Sequence, residues 1–530
     1  MIRGSRLVAA VLVGAGVSLS ALPHAQPGAA ATPKAAGGSL TIAFPYQPDT
    51  LDPVVGSQTI QSQIDRHIFD TLVWELPNGQ ITPLLATNWT ISNQGKTYTF
   101  SLRHGVTFQD GSQFNAAAVV DNLNRIEAPS SHAGSSLAAL GPFKSAKAGG
   151  AYKLIISMKK PYSPFLTNLG QPPLGIVSPA SVKKYGSTVG EHPVGTGPFA
   201  LSKWNKGSNL VLVRNPHYSW GPPALHVHGP AKLAQITYDF IQSGQTRVQE
   251  LQTGQAQLMD STPALYFKTF KGNPSYHTIA ASLGGSGEYG ILNNKKWPTN
   301  SFAVRQAILY SVDRAGVIKL ADSGVYPVLG GPLQRGMLAY DTTFDHWYPY
   351  NPSRAAKILT ANGWKKVNGI WTKNGRQLSL VLNGISGVED LPTLMEAIQG
   401  YLNKAGFVTK LEEMAEPAWN ANWERGVENI TSTWFTGVDP DILRETWTPS
   451  QPFDWNKYSN PTVTRLLDAA STSTNSSRRA TMYRQAQTII MSQAATMPLH
   501  ENDDLIVMSS GLTGVTFSGG IMVLYTASLK

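Results

Sequence analysis

Cysteine is missing from all 530 residues. Its absence excludes disulfides, thiolate catalysis, cysteine-held metals and attachment to a membrane through a lipidated N-terminal cysteine. Charge is scarce too: 14% of residues are Asp, Glu, Lys or Arg, against roughly a quarter in ordinary globular chains. Long charged blocks and polar disordered tails are therefore a small part of the chain. Carboxylates are the scarcer sign, 33 against 43 Lys plus Arg, for a formal net charge of +10. The bases come in pairs at most, as in Lys159-Lys160, Lys183-Lys184, Lys295-Lys296 and Arg478-Arg479. A nucleic-acid surface needs a concentrated basic stripe, so no nucleic-acid partner is expected. Few carboxylates also suit an exported protein working in acid, where little charge is lost on protonation.

Catalytic signatures are absent as well. No HExxH, GxSxG or P-loop pattern occurs, and the GTG at Gly195 reads as a turn. Among the scattered histidines only His226 and His228 lie close, one spacer apart on one face of a strand, and two histidines alone are a weak metal signal. No catalytic residue, metal or cofactor is expected. Long apolar runs are limited to residues 7–22, LVAAVLVGAGVSLSAL, which follow Arg3 and Arg6. The run is short of the ~20 residues a membrane helix needs, and Ala29 and Ala31 supply small residues for cleavage. Residues 1–31 read as a secretory signal peptide, residues 32–38 as a flexible leader, and the mature protein as soluble and extracytoplasmic.

What is present is a large apolar fraction, 42%, punctuated by 49 Gly and 35 Pro, enough for two or more lobes. SLTIAF, TYTFSLR, KLIISMKK, FALSKW, NLVLVRN and ITYDFI carry strand patterns. A helical pattern runs from Ile64 to Val73. Asn115 is placed to cap a helix with Val119, Leu123 and Ile126 on one face. Further on, FAVRQAILYSVDR, SRAAKILTANGW and the segment carrying Leu394, Ile398 and Leu402 read as helices, the latter two closed by Gly363 and Gly406. They alternate with strands LSLVLNG and FVTKLEEM, which implies α/β layering with parallel pairing. A long helix, ATMYRQAQTIIMSQ, precedes strand-like LIVMSS and FSGGIMVLY.

Five blocks together resemble one family. LATNWTISNQGKTYTFSLRHGVTFQDGSQFNAAAVVDNLNRI looks like the hallmark of the dipeptide/oligopeptide/nickel class of extracellular solute-binding proteins of ABC transporters, family 5. PVGTGPFALSKWNKGSNLVLVRNPHYSW, LNNKKWPTNSFAVRQAILYSVDR, SRAAKILTANGWKKVNGIWTKNGRQLSLVLNG and FDWNKYSNPTVTRLLDAA are similar to later landmarks, in the same order. The resemblance implies an α/β, two-lobe periplasmic-binding-protein-like fold hinged around a cleft. Lobe I is placed at residues 39–270, with an extra subdomain about 60–190, lobe II at 271–497, and a return to lobe I at 498–530. The crossings are placed near 260–276 and 496–505, the second beside a solvated loop carrying Asp503 and Asp504. The implied function is capture of a short peptide, as a monomer, and its delivery to an ABC permease. A non-peptide solute such as a nickel complex or a sugar is the alternative cargo; a hydrolase or a non-transport surface receptor on the same fold are the alternative classes. The family's lipid-modified cysteine is absent here.

For the site, the resemblance points first to WFTGVDPDIL. In peptide-binding relatives an Asp three residues after the Trp is implied to meet the peptide ammonium. Here Gly437 stands there, or Thr436 when Asp-Pro-Asp is aligned. Asp439 and Asp441 either take over that charge or cap the helix ILRETW. Trp434 and Phe435 either wall the cleft or pack in the core. From the other cleft-facing segment, AFPYQPDTLDP, the candidates are Phe44, Tyr46 and Gln47. Asn383 and Gly384, ending a lobe II strand, complete the set, since strand ends border the crevice in such lobes.

Overall fold

The structure, a computed structural model, describes residues 37–56, 58–386, 391–451 and 453–530. The signal-peptide assignment and most of the leader lie outside the described residues.

The first lobe is built on a seven-stranded mixed sheet. Its order is Tyr276–Ser282, Asp503–Ser509, Leu258–Met259, Ser39–Phe44, Gln235–Phe240, Asn209–Arg214 and Phe199–Asn205. Ser39–Phe44 pairs in parallel with both its neighbours, while the remaining pairs are antiparallel. Parallel pairing therefore holds at the centre, and hairpin-type pairs extend the edges. Leu40, Ile42, Ala43 and Phe44 are all buried, because both faces of this central strand are covered.

The second lobe has a five-stranded sheet in the order Val408–Met414, Ser379–Ile385, Ile430–Phe435, Gly287–Leu292 and Thr496–His500. Helix Leu391–Ala405 packs on it and buries Leu394, Ile398 and Leu402, the stripe its spacing predicts. A third, antiparallel sheet of Ala86–Ser92, Thr97–Leu102, Lys153–Met158 and Phe143–Ala148 lies within the chain of the first lobe. Helix Ala116–Glu127 covers it, and Asn115 caps that helix by accepting the Ala118 N–H at 3.0 Å.

Two placements differ from expectation. The early helix is Thr59–Ile68, and Val73–Glu75 is a strand. The chain leaves the helix because the buried Asp70 carboxylate is held by Thr196, Tyr218 and Trp220. The first crossing also falls later than 260–276. The passage around Pro263 forms helix Ala264–Phe270, and Tyr276–Ser282 then pairs along its whole length with Asp503–Ser509. The sheet changes only at residues 283–286, and changes back at residues 501–502. Asp503 and Asp504 accordingly begin a strand rather than sit in a solvated loop.

Candidate functional site

Strand Ile430–Phe435 ends beside the first crossing, and that junction is tight. Gly285 lies directly against the Phe435 carbonyl, and Gly284 pairs with Gly437. A side chain at Gly285, whose φ is +85°, would be strained and would strike that carbonyl. The segment after Phe435 is thereby held at the mouth between the lobes. It forms one wall of a cavity of about 440 Å³. The opposing wall comes from the first lobe, with Tyr162, Asn168 and Gln171, and Leu283 of the crossing lies at the junction. A volume of this order suits a small organic ligand.

The aromatic part of the wall is ordered by stacking. Phe435 lies against Phe453 with ring centroids 4.5 Å apart and against Trp455 at 5.2 Å, while Trp434 is half-buried on the cavity edge. Thr436 and Gly437 line the same edge.

The two aspartates both line the cavity, and each already carries a cation. Arg479 Nη2 donates to Asp439 Oδ1 at 2.7 Å. Arg444 grips Asp441 through Nε at 3.0 Å and Nη2 at 2.7 Å, and the Tyr483 hydroxyl donates to Asp441 Oδ1 at 3.1 Å. Asp441 makes no side-chain cap to its helix; it is Asp439 that ties the turn, accepting the Asp441 N–H at 2.9 Å. Burial pushes the Asp439 carboxyl up, and Arg479 works against that push. One turn past Asp441, Glu445 also lines the cavity. Burial, and then the Asp441 charge beside it, push its carboxyl up to about 7. On the far wall, burial and the facing acids raise the Tyr162 phenol, so it stays a neutral donor.

The other expected residues lie elsewhere. Phe44 is fully buried, edge-on to Tyr238 at 5.2 Å, because its strand is the covered centre of the sheet. Tyr46 is 49% exposed but does not line the cavity, and Gln47 accepts the Gly207 N–H at 2.7 Å, fixing a hairpin turn. Asn383 is fully buried between two strands, its Nδ2 donating to the Glu412 carbonyl at 3.4 Å, and Gly384 packs on Glu413 and Met395. Conversely Tyr162, Gln171, Glu445 and Phe453 were not anticipated. Glu445 had a signal: it stands four residues after Asp441, on the same helical face. Among the described residues no cluster of three or more His, Asp or Glu could hold a metal, and no helix is long and apolar enough to cross a membrane.

Comparison with known proteins agrees with this architecture. The profile of bacterial extracellular solute-binding proteins, family 5 Middle, matches residues 80–457. The glutathione-binding protein GsiB of Salmonella choleraesuis is 28% identical over 503 residues, covering 92% of this chain and 93% of its own. NikA from Brucella suis, solved with Fe(III)-EDTA, superposes with a TM-score of 0.82 at 26% identity, over 93% of this chain and 100% of that one. The ABC transporter-associated periplasmic protein DppA from Helicobacter pylori, solved with the peptide STSA, has a TM-score of 0.76 at 24% identity, over 93% and 98% of the two chains. The chain belongs to the family 5 extracellular solute-binding proteins.

Proposed function

We propose that this family 5 solute-binding protein is the extracytoplasmic receptor of an ABC importer, which captures a short peptide between its lobes and delivers it to the membrane permease. The observation that carries the reading is a cavity walled by both lobes and bordered by a crossing. A ligand that touches both walls makes its full set of contacts only when the lobes are together, so binding shifts the hinge equilibrium toward closure. Amide and hydroxyl groups from Asn168, Gln171 and Tyr162 suit a peptide backbone, and Trp434, Phe435 and Phe453 offer apolar area for side chains. The peptide-bound DppA structure supports the same cargo class by fold, and GsiB and DppA are both named as binding proteins. Residues 1–31 are the export signal in this reading, and the mature protein acts as a monomer without a lipidated cysteine.

Native mass spectrometry of the purified protein, followed by denaturation to release cargo, tests the reading. A ladder of peptide masses is expected. A single non-peptide mass would replace the peptide with another solute, as the chelate bound in the NikA structure exemplifies. Turnover of model peptides or esters would replace the receptor with a hydrolase.

A further inference from the structure

The charges of the cavity do not balance, and this imbalance carries an inference that rests on the solute-capture reading. We propose that the cleft selects a ligand with net positive charge, whose ammonium or guanidinium group docks on Glu445 and whose carboxylate, where it has one, lies outside the cavity.

The described residues lining the cavity include three acids, Asp439, Asp441 and Glu445, and no Lys, Arg or His. Two of the acids are neutralised from behind. Arg479 meets Asp439 at 2.7 Å. Arg444 holds Asp441 bidentately, and its remaining Nη1 donates to Gln451 at 3.1 Å. Two carboxylates against two guanidiniums cancel, and Glu445 is left over. Its nearest cation is that same Arg444 at 4.0 Å, already committed to Asp441, and its side chain is 20% exposed. No described residue donates a hydrogen bond to its carboxylate.

This arrangement treats the two signs of ligand charge differently. A carboxylate entering the cavity loses water and meets acids with no base to replace it, which disfavours it. A cation finds an uncommitted carboxylate and the faces of Trp434, Phe435 and Phe453, which attract positive charge through their quadrupoles. Glutathione carries net negative charge at neutral pH, so the cargo in the GsiB name is not the cargo expected here.

The groups facing Glu445 are Asp441, Arg444 and Asp439 from its own lobe and Tyr162 from the other. Burial, then Asp441, raises its carboxyl to about 7, and Arg444 only partly offsets this. A docked cation pulls the other way, so binding between about pH 6 and 7 releases a proton. Affinity therefore rises with pH through that range.

The test uses native mass spectrometry on the full mature chain with four equimolar pools of mixed tetrapeptides: free or acetylated at the N-terminus, and amidated or free at the C-terminus. The free-amine, amidated pool is expected to be retained at least tenfold over the acetylated, free-acid pool. Without lowering the melting temperature, Glu445→Gln should abolish that preference. Glu445→Asp should restore part of it. Equal or better retention of the acetylated acids, or a preference that survives Glu445→Gln, overturns the proposal. If no peptide pool is retained, the short-peptide reading fails on its own. The charge preference is then read from spermidine against ferric EDTA: retention of spermidine upholds it, and retention of the chelate, or of neither at millimolar concentration, overturns it.

Discussion

Two acid clusters in this molecule are buried by different means. In the cleft, Asp439 and Asp441 are neutralised by guanidinium groups, Arg479 and Arg444. At the second crossing, Asp260 and Asp504 lie together with little help from cations. Ser261 donates its N–H to Asp504 at 3.2 Å and its hydroxyl to Asp260 at 2.8 Å, and Gln63 reaches Asp504 at 3.4 Å. Burial pushes Asp260 up to about 6 and Asp504 well above the usual carboxylate range, so the two hold a proton between them. Glu288 nearby is raised to about 8 by burial and Glu501 to about 7, the latter despite Arg335 at 3.0 Å. An arginine beside a buried acid favours the acid's charged form and works against the push of burial. An acid paired with a proton is stable only while the solution supplies one.

The largest effect should come from breaking an arginine pair. Asp439→Asn leaves Arg479 charged, nine-tenths buried and without its counter-ion. A loss of about 3 kcal/mol and a clear drop in melting temperature are expected, since removing one partner of a buried pair costs about that much. Arg479→Met added to it should recover most of the loss. A single variant that melts with the wild type would show that water, not Asp439, neutralises Arg479.

The crossing should respond with the opposite sign. A carboxyl whose pKa is raised on folding gives stability that is fully present below its unfolded pKa and is lost as pH rises through the folded value. That loss runs through about 6 for Asp260, about 7 for Glu501 and about 8 for Glu288. His67 and His500, lowered by burial to about 3 and about 4, act in reverse: their contribution is complete above roughly 6.5 and fades as pH falls. The melting temperature should therefore rise as pH falls from about 8 to about 4.5, less steeply below about 6.5, where the two histidines offset part of the gain from the acids. Asp260→Asn should stabilise by on the order of 3 kcal/mol at pH 8 and by roughly half as much at pH 5, the effect fading below the unfolded carboxyl's own range. Destabilisation at both pH values would mean that the aspartate is ionised in the folded protein.

How far the sequence discloses this depends on how local each cause is. Tyr98, Phe100 and Leu102 are buried and their alternate neighbours are not, as the two-residue period says. Asn115 caps, and Gly363 and Gly406 take the left-handed conformation that ends a helix. These features depend on residues within one turn of each other. Asp439 is different: its partner, Arg479, is forty positions away and reads in the sequence as half of a surface pair. Asp503 and Asp504 look like a solvated loop because nothing near them in the chain reveals strand Tyr276–Ser282 beside them. The family resemblance implies a cleft-facing Phe44, but the sheet closes over both its faces. The segment from Trp434 to Asp441 does line a cavity, but the cavity's charge inventory was not legible, because it is set by which arginines arrive from behind.

The smallest expected effect concerns a contact that uses neither arginine nor proton. Ser163, in the first lobe, donates its N–H to the Ser471 carbonyl at 2.8 Å and its hydroxyl to the Ser473 carbonyl, at the end of helix Pro461–Thr472 in the second lobe. These bonds lie away from the crossings and exist only while the lobes are together. Ser163→Ala removes the hydroxyl bond and leaves the backbone bond. A neutral hydrogen bond contributes about 1 kcal/mol, so the closed state should lose up to roughly a fivefold share of its population advantage. Ligand dissociation should quicken by about that factor, while association and melting temperature stay near wild type. Because no charge is involved, the acceleration should be the same at pH 5 and pH 8 and at low and high salt, unlike either acid cluster. A lower melting temperature with an unchanged dissociation rate would show that the lobes stay bonded at Ser163 through the opening motion, and that the hinge works around this contact rather than against it.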